Sequence, residues 1–384
     1  MRYLRRLSTR SLILILAAVC ALAGGGTAIA VAAGSGGPTP PPKPLDQAIH
    51  DALSAGRPAG VTARIQFTNN LFPSGALLGQ AASALMSGAS GRLWLTGDGL
   101  GRIELQSDAG DVQIVWNSTQ VSVYDASSNT VYRATLPTSS TSTGPDTPPA
   151  LADIDNVLSE IGVRWALSDA QPTDLAGQPA YSVSASPKHD GGLLGSLQLA
   201  FDAANGTPLR AAINAEGSSA PVLELTVTDI SYGSVASSDV EVAPPVGAKV
   251  VDLGTGGKPD TGSSQPAVTG LTAVQAAAPF TVVAPDSLVG LPRRDVRLVG
   301  GDTVLALYGQ GLGGLALVER KADSSTAGNG MLSNLPTVSL DGLTAHELAT
   351  QLGTVLTWQA AGTNYVLAGS LPASAAESAA RAVK

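Results

Sequence analysis

GRLWLTGDGLGRIELQSDAGDVQIVWNSTQVSVYD, residues 91–125, decides the fold of this chain of 384 residues. Apolar and polar residues alternate in four short segments of this stretch: 91–96, 102–107, 112–117 and 120–125. Alternation of period two is typical of half-buried β-strands, and Gly, Asp, Asn and Ser supply the turns between them. Because turns this short join neighbouring strands, the stretch predicts a meander of hairpins in an antiparallel sheet.

The same alternation continues on both sides of this stretch. Ala203-Ala-Asn-Gly206 has the composition of a hairpin turn. Helical spacing of apolar residues predicts helices at 45–55 and 151–161. We therefore expect a mainly β (α+β) fold with one large curved sheet and two covering helices. The further strands are predicted at 61–68, 130–136, 164–168, 178–186, 196–202, 207–215 and 222–232.

A stretch rich in Gly, Ser, Pro and Thr at 254–266 predicts a linker to a small C-terminal α+β domain. Thr344-Ala-His-Glu347 and Ser374-Ala-Ala-Glu377 have the spacing of capping boxes and predict helices at 344–351 and 373–382. Strands are predicted near 280–283, 295–299, 303–308, 314–319, 353–359 and 363–369. The predicted organisation is an export signal or N-terminal membrane anchor (1–33), a Pro/Gly linker (34–44), the large domain (45–252), a flexible linker (253–268) and the small domain (269–384).

Four arginines, Arg2, Arg5, Arg6 and Arg10, precede an uncharged apolar run, which is typical of a Sec-type export signal. Ala28-Ile-Ala30 provides a cleavage site, whereas the apolar stretch as far as Ala33 is long enough to span a bilayer. The sequence leaves open whether the signal is cleaved or retained. In both cases the predicted location is the cell envelope, outside the cytoplasmic membrane, either anchored there or secreted.

The composition argues against most kinds of enzyme site. The only cysteine, Cys20, lies in the apolar run, so the exported part offers no disulfide and no thiol nucleophile. His50, His189 and His346 lie in separate segments, which predicts no metal site. The chain contains no G-x-S-x-G nucleophile elbow. We predict a non-enzymatic protein without catalytic residues or cofactors.

A glycine-rich motif and the net charge bear on possible binding partners. Gly309-Gln-Gly-Leu-Gly-Gly314 fits the dinucleotide pattern G-x-G-x-x-G, but the residues after it alternate like a strand, so we interpret it as a glycine-rich hairpin turn. The net charge of −8 leaves no basic stripe for phosphates, so nucleic acid is not an expected partner.

The informative feature is a surplus of apolar strand residues that the alternation directs to one side of the sheet. Either a normally packed core or an incompletely filled cavity for an acyl chain explains this surplus. Trp94 or Trp116 is expected near the mouth of such a cavity. The candidate lipid-binding residues are Leu93, Leu95, Ile103, Leu105, Ile114, Trp116, Val121, Val123, Leu197, Leu199, Phe201, Ile213, Leu223 and Leu225.

The order of these elements, with phrases such as Gly91-Arg-Leu-Trp-Leu, Val112-Gln-Ile-Val-Trp-Asn and Leu199-Ala-Phe-Asp, resembles the LolA-like lipoprotein-sorting and carrier superfamily in its actinobacterial form. The resemblance covers about 45–250 and implies an unclosed antiparallel β-barrel with a hydrophobic cavity for acyl chains. The two-domain plan is also similar to that of the RseB/MucB regulators.

Two functions follow from these resemblances. The first is an extracytoplasmic lipid- or lipoprotein-binding protein that holds acyl chains in its half-barrel. The alternative is an envelope sensor or regulator that binds a membrane-protein partner, with the C-terminal domain engaging that partner.

Overall fold

The computed structural model describes residues 37–71, 84–136, 149–255, 268–322 and 335–383, which form two β-sheets with a few short helices. The predicted mainly β class is confirmed, and the large antiparallel sheets are not closed into a barrel. The predicted export signal, 1–33, lies outside the described residues. No helix among the described residues is long and apolar enough to cross a membrane.

The first sheet has thirteen strands, and its hydrogen-bonded order is β13-β6-β5-β4-β3-β2-β1-β12-β11-β10-β9-β7, with β8 paired to β9. The strands are β1 (Gly60–Asn69), β2 (Ala89–Thr96), β3 (Gly101–Ser107), β4 (Gly110–Trp116), β5 (Gln120–Asp125), β6 (Thr130–Thr135), β7 (Trp165–Leu167), β8 (Gln171–Leu175), β9 (Gln178–Pro187), β10 (Leu194–Asp202), β11 (Pro208–Ala215), β12 (Pro221–Tyr232) and β13 (Lys249–Thr255).

The predicted meander is confirmed by the consecutive pairing of β2 to β6, and strand β1 joins that meander to β12. One edge differs from the expected antiparallel sheet, because β13 pairs with β6 in parallel. Parallel strands are joined by a long connection, so no short turn motif in the sequence indicates that β13 pairs with β6. Strand β13 also extends to Thr255, into the segment that was predicted to be a linker.

Four helices accompany this sheet: α1 (Leu45–Ser54), α2 (Ala84–Ser87), α3 (Leu151–Gly162) and α4 (Ser237–Val240). Helices α1 and α3 confirm the two predicted helices. Each has one fully buried residue, Ala48 in α1 and Ile154 in α3. The two helices contact each other, and His50 Nδ1 lies 3.1 Å from the carbonyl oxygen of Pro149, just before α3.

The second sheet has nine strands among the described residues. Their hydrogen-bonded order is β14-β16-β17-β18-β22-β21-β20-β19, with β15 paired to β16. Its strands are β14 (Val268–Thr269), β15 (Ser287–Leu288), β16 (Leu291–Val299), β17 (Thr303–Tyr308), β18 (Leu315–Lys321), β19 (Thr337–Leu340), β20 (Leu343–Thr350), β21 (Gly353–Ala360) and β22 (Thr363–Gly369). Helices α5 (Leu271–Ala277) and α6 (Ala373–Arg381) contribute to its core, and α6 confirms the predicted helix at 373–382.

Two predictions for this second sheet are wrong. Residues 344–351 form strand β20 rather than a helix, because β19 and β21 pair with it on both sides and bury Ala345. The segment near 280–283 is not a strand, because the Val283 N–H donates to the carboxylate of Glu319 at 2.8 Å instead of to a neighbouring strand. In contrast, residues 309–314 connect β17 to β18, as expected for a hairpin turn.

Loops of the two sheets contact each other, and two of these contacts involve the glycine-rich turn and Gln351. The Gly313 N–H donates to the Asp190 carbonyl at 2.6 Å, so the glycine-rich turn 309–314 lies against the loop before β10. In the second of these contacts, the Gln351 side chain donates to the Asn70 carbonyl at 2.6 Å. The neighbouring Leu352 packs against the hydrophobic cluster of the first sheet.

Candidate functional site

One face of the first sheet carries nearly all of its large apolar side chains, and we call it the inner face. In the central strand β1 it is defined by Val61, Ala63, Ile65 and Phe67, which are all buried. Residues directly opposite each other on neighbouring strands share a face, so the register extends this assignment across the sheet. The register therefore tests whether the candidate residues lie together.

The candidates of β2 to β5 lie on this inner face. Leu93 pairs with Ala63 on one side and with Ile103 on the other, and the row continues to Ile114 and Val123. In the next row, Trp116 lies opposite Gly101 and Val121. A side chain at Gly101 would overlap the Trp116 ring, so the glycine makes room for the indole.

The candidates of β10 to β12 extend the same face on the other side of β1. Leu197 pairs with Ile213, which pairs with Leu223, and Leu225 pairs with Phe67. Most candidates thus join β1 in one cluster: Leu93, Leu95, Ile103, Leu105, Ile114, Trp116, Val121, Val123, Leu197, Ile213, Leu223 and Leu225.

Two candidates lie outside that cluster. Phe201 belongs to a separate cluster with Tyr181, at 6.0 Å between ring centroids, where Ala48 of α1 packs. Leu199 is half-buried on the same face, between Val183 and Ala211. The structure therefore places the whole candidate set on one face. Twelve candidates belong to the cluster around β1, Phe201 belongs to the cluster with Tyr181, and Leu199 belongs to neither.

Burial is uneven along this face. Ile103, Leu105, Ile114, Ile213 and Leu223 are buried. By contrast, a second group of candidates is only half-buried although its members belong to the same cluster: Leu93, Leu95, Trp116, Val121, Val123, Leu197 and Leu225. Half-covered apolar side chains in one continuous patch are the surface that an apolar ligand requires.

Few described elements cover this patch. Ala84 and Leu85 of α2 pack against it, together with Leu71 and Leu352. Helix α2 has only four residues, so its cover is small. The chemistry available on this patch is therefore apolar contact. No group of His, Cys, Asp and Glu that could hold a metal ion occurs among the described residues.

The two tryptophans that the sequence offers as alternatives lie on opposite faces of the sheet. Trp94 lies on the opposite face of the sheet, which we call the outer face, because its cross-strand partners are Thr62 and Arg102. The Arg102 guanidinium lies 5.1 Å from the centre of the Trp94 ring. Trp116 alone of these two therefore lies on the inner face.

The outer face holds a feature that the sequence did not indicate, a cavity of about 540 Å³ beneath residues 240–244. Gln113, Ser122, Tyr124 and Arg133 line it from strands β4 to β6. The alternating pattern identifies these residues as facing away from the core, but no local signal indicates that a distant segment covers them.

No family model matches the sequence, and no curated protein matches it. Among solved structures, the fold is similar to MucB in the Pseudomonas aeruginosa MucA/MucB complex, with 14% identity, 88% of this chain and 96% of that chain covered, and a TM-score of 0.44. It is also similar to MucB in complex with the periplasmic part of MucA, with 15% identity, 88% and 98% coverage, and a TM-score of 0.43.

A LolA-superfamily protein, NE2245 from Nitrosomonas europaea, matches with 11% identity, 52% of this chain and 98% of that chain covered, and a TM-score of 0.22. These solved structures belong to the two groups that the sequence resembles.

Proposed function

We propose that this protein binds lipid or lipoprotein acyl chains in the cell envelope and is not an enzyme. The observation that carries the proposal is the continuous patch of half-buried apolar side chains on the inner face, around Leu93, Trp116 and Val123. Transfer of apolar surface from water contributes about 25 cal/mol per Å², so an acyl chain laid on this patch gains affinity from contact area alone. Binding of an acyl chain to this patch requires no charged group on the protein.

The first test is lipid extraction and native mass spectrometry of the protein purified from its own host. We expect co-purifying lipid, and displacement of a bound fluorescent fatty acid, cis-parinaric acid, when that lipid is added. Absence of co-purifying lipid together with absence of cis-parinaric acid binding would refute acyl-chain binding.

A directed variant locates the site. Val123→Trp fills space at the half-covered patch, so we expect cis-parinaric acid to bind at least about tenfold more weakly, which corresponds to roughly 1.4 kcal/mol. Ser90→Trp is the matched control, because Ser90 is exposed on the outer face, opposite Gln66. If the patch is instead a packed core, Val123→Trp overpacks it and lowers stability by roughly 1 to 3 kcal/mol.

The alternative is an envelope sensor or regulator of the RseB/MucB type that binds a membrane-protein partner. One observation favours it: Leu352 of the second sheet packs against the inner-face cluster. A ligand on the inner face would therefore change the surroundings of a loop from the second sheet. Capture of a membrane protein by immobilised protein with lipid bound but not with lipid removed would support this alternative.

A further inference from the structure

A strap crosses the outer face of the first sheet between α4 and β13, and we define it as residues 241–248. At its start, Val240 is buried, and Arg102 Nη1 donates to the Asp239 carbonyl at 3.2 Å. At its end, the Lys249 N–H donates to the Asn129 carbonyl at 2.9 Å. Both ends of the strap are thus fixed to the sheet.

The middle of the strap stands off the sheet. Its backbone N–H groups make local hydrogen bonds, from the Glu241 N–H to the Ser237 carbonyl at 2.8 Å and from the Ala248 N–H to the Pro245 carbonyl at 3.2 Å. Only near its end does the Gly247 carbonyl accept a hydrogen bond from the Asn129 side chain, at 3.4 Å, within the described residues. Val242 and Pro244 are half-buried, whereas Glu241 is exposed. The half-buried residues of the strap in this stretch are therefore apolar.

The cavity of about 540 Å³ lies between this strap and strands β4 to β6. That volume is within the range of about 300 to 1,000 Å³ that small-molecule sites occupy. Its walls combine apolar residues, Val115, Val131, Val242 and Pro244, with polar ones, Gln113, Ser122, Tyr124 and Arg133, and the strap adds Glu241 to the lining. A mixed lining of this kind suits an amphipathic ligand.

Arg133 differs from the other arginines that the structure describes. Six of them form ion pairs: Arg102, Arg210, Arg293, Arg297, Arg320 and Arg381. A further five form none but are exposed to solvent: Arg57, Arg64, Arg92, Arg164 and Arg294. Within the described ranges, Arg133 alone is half-buried and lacks an acidic partner.

An anion in the cavity would supply hydrogen-bond acceptors to this side chain. A guanidinium has five N–H donors and no acceptor, and partial burial removes water from some of them. Arg133 has no hydrogen bond to any residue that the structure describes, although Ser122 lies directly opposite it on β5. Carboxylate and phosphate groups match the planar fork of an arginine in two parallel hydrogen bonds.

We propose that the cavity beneath the strap binds a small amphipathic organic anion, a carboxylate or a phosphate monoester, whose charged group pairs with Arg133. The apolar part of the ligand lies between Val115 and Val131 of the sheet and Val242 of the strap. Gln113 and Ser122 offer further hydrogen-bond donors, whereas the Tyr124 hydroxyl donates to the Asn129 side chain at 3.2 Å. This site is on the face opposite to the acyl-binding patch and does not depend on that proposed function.

Isothermal titration calorimetry with three matched probes tests the site: 4-methylbenzoate, 4-methylphenyl phosphate and the neutral 4-methylbenzamide. We expect at least one anion to bind about tenfold or more tightly than the amide, because hydrogen bonds to a charged group are stronger than those to a neutral one. Whichever anion binds more tightly shows whether the site prefers a carboxylate or a phosphate monoester. Equal affinity for the amide, or no binding of any probe, overturns the proposal.

Variants assign the preference to Arg133. Arg133→Gln should abolish the preference for the anion, whereas Arg92→Gln, at an exposed position on the same face, should retain it. In the unaltered protein, the bound anion should also shift the NMR resonance of the Arg133 Nε–H. This resonance is assigned as the one that is missing from the spectrum of Arg133→Gln. An anion preference that survives in Arg133→Gln, or a resonance that does not move, contradicts the site.

Discussion

At the scale of single residues, the most unusual group is Glu319 in the core of the second sheet. Its side chain is fully buried between Val304 and Tyr365. One carboxylate oxygen accepts the Val283 N–H, and the other has no hydrogen-bond partner among the described residues. Burial raises the pKa of Glu319 from its ordinary value of 4.5 to about 7.

This raised pKa predicts how stability depends on pH. Between about 4.5 and 7 the folded protein holds a proton that the unfolded chain has released, so the free energy of unfolding falls as the pH rises through this window. Glu319→Gln removes the titration and still accepts the Val283 N–H. Above pH 7 we expect the variant to be more stable by on the order of 2 kcal/mol, measured by urea unfolding between pH 4 and 8.

The control for this measurement is Glu160→Gln, because Glu160 is exposed on α3. It should leave the slope of stability against pH between 4.5 and 7 unchanged. A Glu319→Gln variant with the slope of the unaltered protein would contradict a buried, protonated carboxyl.

Gly101 provides a second prediction at the scale of residues. A methyl group there would overlap the Trp116 ring on the inner face, so Gly101→Ala forces the indole to move. We expect a loss of roughly 1 to 3 kcal/mol in unfolding free energy and a change in tryptophan fluorescence. Gly233→Ala is the matched control, because a methyl group at Gly233 meets nothing within 4 Å. Equal stability of the two variants would show that Trp116 is not held against Gly101.

At the scale of elements, helix α1 covers one end of the inner face through a single fully buried residue. Ala48 packs in the cluster of Tyr181 and Phe201, while Leu53 of the same helix is 55% exposed. Ala48→Glu places an unpaired charge in that cluster and should lower stability by roughly 2 to 4 kcal/mol in thermal or urea unfolding. Leu53→Glu should change it by less than about 0.5 kcal/mol. Similar losses in both variants would contradict the docking of α1 by its Ala48 side.

At the scale of the whole molecule, Ser370 joins the two sheets. Its hydroxyl accepts the Leu193 N–H of the first sheet at 2.8 Å and donates to the Leu352 carbonyl at 2.9 Å. Ser370→Ala removes both bonds and should weaken the contact by about 1 to 2 kcal/mol. The measurement is amide hydrogen exchange, in which the Leu193 and Gln351 amides should exchange faster. Ser374→Ala, at an exposed position, should not alter either amide, and unchanged exchange in Ser370→Ala would refute this role.

The contact between the two sheets also explains the glycine-rich turn at 309–314, which we interpret as a hairpin turn and not as a nucleotide-binding loop. Gly313 approaches Asp190 so closely that a Cβ atom would lie 3.2 Å from the Asp190 carbonyl oxygen and 3.0 Å from the Gly192 nitrogen. The G-x-G-x-x-G spacing at 309–314 thus permits close backbone approach, in this case to another loop of the same chain. Close approach of backbones is the same physical reason for which nucleotide-binding loops use glycine.

The sequence by itself determined the strands of the first sheet other than β8 and β13, helices α1, α3 and α6, and the set of apolar residues that share the inner face. These features depend on periodicity and short turns, which are local properties of the chain. The tertiary structure decided the parallel pairing of β13, the conversion of residues 344–351 into a strand, and the cavity around Arg133. The pairing of β13 and the cavity require contacts between segments far apart in sequence, because only the crossing strap turns the Arg133 face of the sheet into a cavity. Residues 344–351 pair instead with the neighbouring strands β19 and β21, and this pairing overrides the capping pattern at Thr344.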